Sequence, residues 1–396
     1  MGNSMKILMI SPEPIFEPRG TPLSIVGRLK ALSDMGHRVD LITYPIGKDI
    51  HLPGLKIDRI PRIPGIRKIQ IGPSLKKIPL DICLMIKTVI RLFKEHYDLI
   101  HTHEEAGFWG MVVSRIFKIP HMYDMHSSLP QQLFNFQFTN SKMIIQIFEM
   151  LERWVLKYAQ CVITICPDLY AYVEKYFPEK GSVLIENVVD YGMIFNEDDI
   201  SAQIYENLNL RGKKVILYTG TFEPYQGLDL MIESAGRVIQ KVKSAVFIFA
   251  GGNPDQVGFY RNKIRSMDQM NNKFIFTGQV PPQEIASYIR CADVLLSPRI
   301  AGTNTPLKIY SYLRSGVPIV ATRLLTHTQV LNDEVAVLVE PTPEDLAQGI
   351  LSVITDTKRA KSLRAKSVRL IEKKYSYQTY LEKLNMALHQ AMARKV

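Results

Sequence analysis

Cysteine and long apolar runs are both scarce in this sequence. The 396 residues include four cysteines, which show neither the spacing of metal ligands nor a paired framework. This excludes a cysteine-based zinc module and a disulfide-stabilised domain, and we interpret the four as buried thiols in a reducing compartment. The most apolar helical stretch, near 78–93, is interrupted by Asp81, Lys87 and Arg91, which excludes a membrane-spanning helix there. The apolar run that follows Lys6 is short, which favours a buried strand over a signal peptide.

The patterns of several binding modules are absent as well. No zinc-finger, RRM or helix-turn-helix pattern is present, so we do not expect a nucleic-acid partner. No low-complexity segment and no internal sequence repeat interrupts an ordinary globular composition. A chain of this length predicts two domains, because one domain usually has roughly 100–200 residues. We therefore expect a two-domain cytoplasmic protein.

Strand and helix patterns alternate from the beginning of the chain. Thr21 and Pro22, which follow Gly20, are a capping residue and a first-turn proline, and they predict a helix that begins there. The predicted strands are Lys6–Ser11, Arg38–Tyr44, Leu99–Thr102, Cys161–Cys166 and Ser182–Ile185. The predicted helices after the first lie near 80–95, 140–159 and 167–176. This alternation predicts a doubly wound parallel sheet, whose ligands bind at the carboxyl ends of the strands.

A polar segment, 191–214, interrupts the alternation, and we predict an inter-domain linker there. The strands then resume as Val215–Thr219, Ala245–Ala250, Phe274–Thr277, Val294–Ser297, Ile319–Ala321 and Val335–Val339, with a helix at Leu228–Lys241. The sequence therefore predicts an α/β protein of two Rossmann-like doubly wound domains facing a central cleft. We assign residues 1–195 to the first domain and 210–375 to the second. The C-terminal helix, 376–396, is expected to pack back on the first domain.

A pattern in the second half points to phosphate binding. Thr305 and Pro306 predict a helix N-terminus, as N-cap and first helical residue, and Gly302 permits a tight loop before it. Lys308 falls in the first turn of that helix, and Arg299 follows the end of a predicted strand. Free backbone amides, the positive end of the helix dipole and two cations favour a phosphate or diphosphate. The alternative is a capped helix with a solvated lysine.

Two further loops follow predicted strands. The glycine-bounded loop 219–227 has backbone amides that suit a phosphate group, although a tight turn explains the glycines equally well. Asp124 and His126 are two residues apart, so in an extended segment both side chains point to one side. His126 is then placed to donate a hydrogen bond to a substrate oxygen or phosphate, and the alternative is a structural histidine.

A histidine pair after another strand resembles a set of metal ligands. His101 and His103 are followed by Glu104 and Glu105. The alternation of side chains on a strand explains the pair without a metal, and no third donor stands at a suitable spacing. We therefore expect no metal ion.

Basic residues are concentrated in the segment 56–94. This segment holds ten lysines and arginines against two aspartates, in a chain whose net charge is +11. The apolar residues between the charges are Leu75, Ile78, Leu80, Leu84 and Ile86. Such a composition favours peripheral contact with an anionic lipid surface on the inner face of a membrane. The alternative is a solvated basic face.

Motifs along nearly the whole chain resemble those of one enzyme family. In order they are MKILMIS, RGTPLSIVGRLKALSDMGHRVDLIT, DLIHTHEEAGFWG, YDMHSS, ENVVD, YTGTFEPYQGLDLMIESA, IFAGGNP, FTGQVPPQEIASYIRCADVLLSPR and SGVPIVAT. Within ENVVD, the matching positions are Asn187, Val189 and Asp190. The chain thus resembles the retaining, nucleotide-sugar-dependent glycosyltransferases of family 4. The resemblance implies the GT-B fold, with an acceptor domain at the N-terminus and a donor domain at the C-terminus.

The resemblance also implies roles for individual residues. The family's glycine loop touches donor or acceptor and falls on Gly20 and Thr21, and the histidine that touches the donor sugar falls on His126. The lysine that contacts donor phosphate falls on Lys308, and we add Arg299 to these catalytic residues. The predicted donor-binding residues are Gly20, Thr21, Gly220, Thr221, Gln226, Gly302, Thr303, Asn304, Thr305, Pro306 and Ser311.

Two elements of the family pattern are missing here. The family's paired glutamates fall on Thr303 and Ser311, and its diphosphate-binding arginine and lysine fall on Thr221 and Gln226. Arg299 and Lys308 are expected to supply the missing charge, while Asn304, Thr305 and Gln226 supply hydrogen bonds. Diphosphate stabilisation requires charge and donors rather than one particular side chain.

The resemblance implies metal-free glycosyl transfer with retention, from a nucleotide-diphosphate sugar to a lipid-linked or saccharide acceptor. No cofactor is expected beyond the donor itself. A non-catalytic nucleotide-sugar-binding relative is the first alternative, because of the missing glutamates. A nucleotide-sugar epimerase on the same fold is the second, although it would require an acid and base pair that the sequence does not indicate.

Overall fold

The computed structural model describes residues 4–16, 20–66, 69, 74–130, 133, 141–188, 199–265, 267 and 270–394. The chain divides into two compact units. Unit 1 comprises Met1–Asn187 together with Tyr377–Val396, and unit 2 comprises Val188–Ser376. Each unit is built on its own parallel sheet, as the strand–helix alternation predicts.

Unit 1 contains a seven-stranded sheet in the order β3-β2-β1-β4-β5-β6-β7. Its strands are β1 (Lys6–Ser11), β2 (Arg38–Thr43), β3 (Leu55–Arg59), β4 (Leu99–His103), β5 (His121–Met125), β6 (Cys161–Thr164) and β7 (Ser182–Leu184). The inner strands are buried on both faces, which is why they read as continuous apolar runs. The strand order reverses between β1 and β4, and ligands of such sheets bind at this reversal.

Helices cover the unit 1 sheet. They are α1 (Gly20–Asp34), α2 (Lys77–Lys94), α3 (Ala106–Phe117), α4 (Lys142–Tyr158), α5 (Pro167–Tyr176) and the C-terminal α14 (Tyr377–Ala393). Helix α3 packs between α2 and α4. Helix α14 packs against β5, β6 and β7, so the end of the chain returns to the first unit.

Unit 2 contains a six-stranded sheet in the order β10-β9-β8-β11-β12-β13. Its strands are β8 (Lys214–Thr219), β9 (Ala245–Ala250), β10 (Phe274–Gly278), β11 (Val294–Ser297), β12 (Ile319–Thr322) and β13 (Val337–Val339). Its helices are α6 (Ser201–Asn207), α7 (Leu228–Lys241), α8 (Pro254–Arg265), α9 (Ile285–Arg290), α10 (Lys308–Ser315), α11 (Leu325–Thr328), α12 (Pro343–Ile354) and α13 (Thr357–Lys374). The order reverses between β8 and β11, which are hydrogen-bonded neighbours. The aromatic rings of Phe222, Phe247 and Phe249 lie in the hydrophobic core of this unit.

The predicted beginning of helix α10 is wrong. The helix begins at Lys308 with Leu307 as its N-cap, so Thr305 is not a cap and Pro306 is not the first helical residue. The hydroxyl of Thr305 is instead buried, and no hydrogen-bond partner for it occurs among the described residues. The beginning of α1 is also misplaced by one residue, since Gly20 rather than Thr21 opens it.

The segment assigned to a linker is only in part a linker. Residues 201–207 form helix α6, which packs against α9 and belongs to unit 2. This helix was not predicted because it is short and mostly polar, and Ile204 is its buried residue. Residues 191–198 lie outside the described part of the chain.

The basic stretch 56–94 presents less free charge than its composition predicts. Its paired cations are Lys77 with Glu13 and Glu105, Lys87 and Arg91 with Asp58, and Arg59 with Asp49. Leu80 and Leu84 are fully buried and do not contribute to the surface. Arg67 and Lys68 lie outside the described residues. The surface of this region is therefore better described by its apolar side chains, because carboxylates within and outside the segment pair with four of its cations.

No helix within the described ranges is both long enough and apolar enough to cross a lipid bilayer.

Candidate functional site

The predicted phosphate-binding residues of unit 2 converge on the carboxyl ends of β8 and β11. Two loops meet there with almost no space between their backbones. A Cβ atom on Gly227 would lie 1.9 Å from the carbonyl oxygen of Pro298, and the residue has a φ of +75°. Only glycine allows this approach. The loop after β8 is thereby held against Pro298, next to Arg299.

Lys308 extends from the first turn of α10 back to the end of β8. Its ammonium group donates a hydrogen bond to the carbonyl oxygen of Thr219 at 3.1 Å. The same group lies 3.8 Å from the centroid of the Tyr218 ring, a cation–π contact. Burial lowers the pKa of Lys308 well below its usual value, and the positive charge of Arg299 lowers it further.

Arg299 is held by three polar contacts at the end of β11. Its Nη1 donates to the carbonyl oxygen of Asn304 and to the hydroxyl of Thr326, each at 3.0 Å. Its Nε lies 3.5 Å from Oε1 of Gln226, so the predicted Gln226 joins the same group. Burial lowers the pKa of Arg299. The guanidinium is therefore fixed in direction before any ligand binds.

Neither cation has a carboxylate partner within the described residues. The contacts of Lys308 and Arg299 are to carbonyl and hydroxyl oxygens, an amide and aromatic rings. Two partly buried basic groups that interact electrostatically lack the usual compensation of a buried ion pair. An anion with several oxygens would provide it, and this is the chemistry of a diphosphate.

The other predicted donor residues of unit 2 lie in the same two loops or on α10. A Cβ atom on Gly220 would lie 3.7 Å from Nζ of Lys308, so the loop passes close to the charge. The carbonyl oxygens of Thr221 and Thr303 accept hydrogen bonds from the Tyr218 hydroxyl at 2.7 Å and the Gln329 amide at 2.5 Å. Gly302 has a φ of +111°, a conformation that favours glycine, and a Cβ atom there would lie 3.5 Å from Nη1 of Arg299. Ser311 lies half-buried on α10.

Several residues that support this site were not predicted. The Tyr312 hydroxyl lies 3.0 Å from both the amide nitrogen and the hydroxyl of Thr219, which fixes the end of β8. His327 bonds to Ser297 at 2.8 Å and to the carbonyl of Thr322 at 2.8 Å. Burial lowers the pKa of His327 to about 3, so it is neutral. The sequence could have indicated these residues only because Thr326 and His327 follow a strand, since their spacing matches no known motif.

Unit 1 carries a second polar cluster at its own strand reversal. Gly20 and Thr21 open α1, and the Thr21 hydroxyl lies 3.4 Å from Oε1 of Glu104, which follows β4. The hydroxyl of Ser127 lies 3.3 Å from Oε2 of the same carboxyl. Glu104 has a φ of +47°, a backbone conformation that residues other than glycine rarely adopt. The predicted residues Gly20 and Thr21 therefore lie beside an acidic residue to which sequence reasoning gave no role.

Carboxyl groups gather around Glu104. Lys77 lies 3.3 Å from both Glu13 and Glu105. Burial, with the charges of Glu105 and Glu13, raises the pKa of Glu104 to about 8. Burial, with the charge of Glu105, raises the pKa of Asp81 to about 7. Glu13, Asp81 and Glu104 are far apart along the chain, and the fold of unit 1 brings their carboxyl groups together with that of Glu105.

His126 and Asp124 point to one side, as their spacing predicts. The nearest nitrogen and oxygen atoms of the two side chains are 3.6 Å apart, and His126 also bonds to His103 at 3.0 Å. Burial lowers the pKa of His126, so it is neutral near pH 7. Burial opposes the ionisation of Asp124, but Arg28 and His126 hold its pKa well below the usual value. A neutral imidazole at the end of β5 can bond to a sugar hydroxyl.

His101, His103 and Asp124 come close enough to resemble metal ligands. Their ligand atoms lie within 4.8 Å of one another. However, the Asp124 carboxylate already accepts from the Arg28 guanidinium at 3.0 Å. A permanent cation in this position competes with a metal ion for the only charged ligand, so the donor set does not fit a metal.

Two family models match the chain in succession. Residues 20–192 match Glycosyltransferase Family 4, and residues 213–356 match Glycosyl transferases group 1. The chain belongs to the family 4, group 1 glycosyltransferases. Each of its units therefore corresponds to one domain of the GT-B fold.

Individual relatives of this glycosyltransferase are distant in sequence. A phosphatidyl-myo-inositol mannosyltransferase of Mycobacterium tuberculosis is 23% identical over 362 residues, covering 88% of each chain. A 2-deoxystreptamine N-acetyl-D-glucosaminyltransferase of Niallia circulans is 22% identical over 292 residues, covering 69% of this chain and 71% of its own.

Solved structures agree on the fold. Sucrose-phosphate synthase of Thermosynechococcus elongatus superposes with a TM-score of 0.76 at 21% identity, covering 98% of this chain and 99% of its own. Anabaena HepE in complex with UDP-glucose gives a TM-score of 0.74 at 17% identity, covering 97% and 99%. At these identities the similarity establishes the two-sheet GT-B fold alone.

Proposed function

We propose that this glycosyltransferase transfers a sugar from a nucleotide-diphosphate sugar to an acceptor hydroxyl, with retention of configuration and without a metal ion. The observation that carries the proposal is the pair of cations, Arg299 and Lys308, that lack an anionic partner among the described residues. Both stand at the strand reversal of unit 2, where ligands of doubly wound sheets bind.

The cations stabilise the leaving group. The bond between the anomeric carbon and the diphosphate oxygen breaks, and negative charge develops on that oxygen. Arg299 and Lys308, already fixed by Asn304, Thr326 and Thr219, stabilise this charge without reorganising. The acceptor oxygen bonds to the anomeric carbon on the same face, and its proton passes to the departing diphosphate. No side-chain nucleophile is needed.

The acceptor domain is assigned to unit 1. His126 is proposed to bond to the donor sugar, and Gly20 and Thr21 are proposed to contact the donor or the acceptor. The acceptor is a lipid-linked or saccharide hydroxyl. This choice is supported by the M. tuberculosis relative, whose name gives a phosphatidylinositol as its acceptor, and the donor class by HepE, which is solved with UDP-glucose.

A panel of nucleotide sugars tests the proposal. Incubation with UDP-, GDP- and ADP-sugars should identify one donor that raises the melting temperature and is consumed, with release of nucleoside diphosphate. The product's anomeric configuration, read by NMR, should match that of the donor, and EDTA should leave the rate unchanged. Inversion, or loss of turnover in EDTA that a divalent cation restores, contradicts the mechanism.

A non-catalytic nucleotide-sugar-binding role is the second candidate. Thr303 and Ser311 stand where the family has its glutamates, so the groups that hold the donor sugar differ. The same panel separates the two functions. A donor that raises the melting temperature but is neither transferred nor hydrolysed, with any acceptor offered, favours the binding role.

A further inference from the structure

The outer surface of α2, α3 and α4 is unusually apolar. Twenty large apolar side chains are exposed among the described residues, and fourteen belong to these three helices or to Leu75 just before α2. We call this surface the α2–α4 face. Its members are Leu75, Ile78, Ile82, Met85, Ile86, Ile90, Phe93, Val112, Ile116, Met143, Ile144, Ile147, Met150 and Trp154. A concentration of this kind usually marks an interaction site.

Helical spacing aligns these side chains into stripes. On α2, Ile78, Ile82, Ile86 and Ile90 recur every fourth residue and end at Phe93, which is 77% exposed. Leu80, Leu84 and Leu92 of the same helix are buried against the sheet. The helix is therefore apolar on two sides, whereas a helix at the surface of a soluble domain requires only one.

The stripes form one surface because α3 lies between the other two helices. Phe93 of α2 meets Phe117 of α3 edge to face, with ring centroids 5.1 Å apart. Phe108 of α3 meets Phe148 of α4 at 6.0 Å. Ile116, which is 68% exposed, continues the surface across α3.

Cations border the α2–α4 face. The exposed basic residues on or next to the three helices are Lys76, Lys94, Arg115, Lys118, Lys142, Arg153 and Lys157. Glu149 is the exposed acidic residue of these helices within the described ranges. Long basic side chains extend past apolar neighbours to reach phosphate groups at an interface.

We propose that the α2–α4 face lies on the surface of an anionic lipid bilayer, with its apolar side chains in the headgroup and upper acyl region. A second copy of the chain is disfavoured as the occupant, because two such faces would oppose their cations with little acidic charge to compensate. A bilayer with anionic lipids offers both apolar depth and negative charge. The face belongs to unit 1, whereas Arg299 and Lys308 belong to unit 2, so lipid binding by this face does not rest on the proposed sugar transfer.

Vesicle flotation tests the proposal on the full-length protein. The protein should float with vesicles of phosphatidylcholine and phosphatidylglycerol, and much less with phosphatidylcholine alone. Ile82→Gln, Ile86→Gln and Ile147→Gln together should lower the partition coefficient by about tenfold or more, because each removes apolar area from the interface. Met386→Gln is the matched control, since Met386 is exposed at 53% on α14 outside this face.

Tryptophan fluorescence provides a readout of depth. The sequence contains two tryptophans, Trp109 and Trp154, of which Trp154 is exposed on the α2–α4 face. In Trp109→Phe, the emission of Trp154 should shift to the blue on anionic vesicles and be quenched by brominated lipids. In Trp154→Phe, the partly buried Trp109 should respond little.

Two results would overturn the proposal. One is that the unmodified protein, shown to be folded by circular dichroism, does not bind anionic vesicles at low salt. The other is a concentration-dependent dimer in sedimentation that the same three glutamine substitutions abolish, which would identify the face as a contact between copies.

Discussion

Arg28 of α1 and Asp124 of β5 form an ion pair at 3.0 Å in which both side chains are fully buried. The guanidinium carbon of Arg28 lies 5.1 Å from the centroid of the Tyr380 ring, which belongs to the C-terminal helix. The pair thus joins an early helix, a central strand and the end of the chain in one contact. It also holds the carboxylate that neighbours His126.

Breaking this pair should strongly destabilise unit 1. Arg28→Met leaves the buried Asp124 carboxylate without its guanidinium partner, and we expect the free energy of unfolding to fall by about 3–5 kcal/mol. The double variant Arg28→Met, Asp124→Asn should recover part of the loss, because no isolated charge remains. Denaturant titration followed by circular dichroism measures both. Equal losses in the single and double variants would show that packing, rather than charge, dominates.

Removing either cation of unit 2 should weaken donor binding. Lys308→Ala and Arg299→Ala should each reduce the affinity for the nucleotide-diphosphate sugar by about 1–3 kcal/mol, the usual contribution of a charge-assisted hydrogen bond. Isothermal calorimetry is the measurement. Lys366→Ala, which removes an exposed cation paired with Glu334, is the matched control and should bind normally. Unchanged affinity in both site variants would place the phosphate elsewhere.

The backbone crossing at Gly227 should not tolerate a side chain. Gly227→Ala would place Cβ 1.9 Å from the Pro298 carbonyl oxygen, so the loop after β8 must move away from Arg299. We expect a loss of stability of about 1–3 kcal/mol and weaker donor binding together. Gly258→Ala on α8, where Cβ meets no atom within 4 Å, should be neutral or stabilising. Thermal melts with and without donor compare the two.

Much of the fold could be predicted because its strands are buried on both faces. Val294–Ser297 and Ala245–Ala250 have the predicted bounds, since each strand begins after a polar residue and ends before a proline or a glycine. Strand β3, Leu55–Arg59, was missed because it lies at the sheet edge and is largely half-buried. Helix α10 was misplaced because local capping rules favoured Thr305, whereas tertiary packing turns that side chain inward.

The candidate site was predictable only where its residues are close in sequence. Arg299 and Lys308 lie nine positions apart, and their shared loop reveals them together. Glu13, Lys77 and Glu104 approach one another only through the crossovers that bring the ends of β1 and β4 together. A single sequence carries no signal for such contacts, since each acidic residue alone resembles a solvated loop residue.

The raised pKa of Glu104 should be visible in the dependence of stability on pH. Its pKa is about 8 in the folded protein, above the ordinary value of 4.5 that it has when unfolded. The unfolded chain therefore releases this proton first, and stability is lost as the pH rises from about 4.5 through about 8. Glu104→Gln cannot ionise, so it should be more stable than the unmodified protein above pH 8, by on the order of 5 kcal/mol, and similar near pH 4. Melting temperatures across this range are the measurement, with the exposed Glu382→Gln as control. If the difference in melting temperature between Glu104→Gln and the unmodified protein is constant with pH, Glu104 does not titrate in this interval. Lys77 would then keep the Glu104 carboxylate ionised.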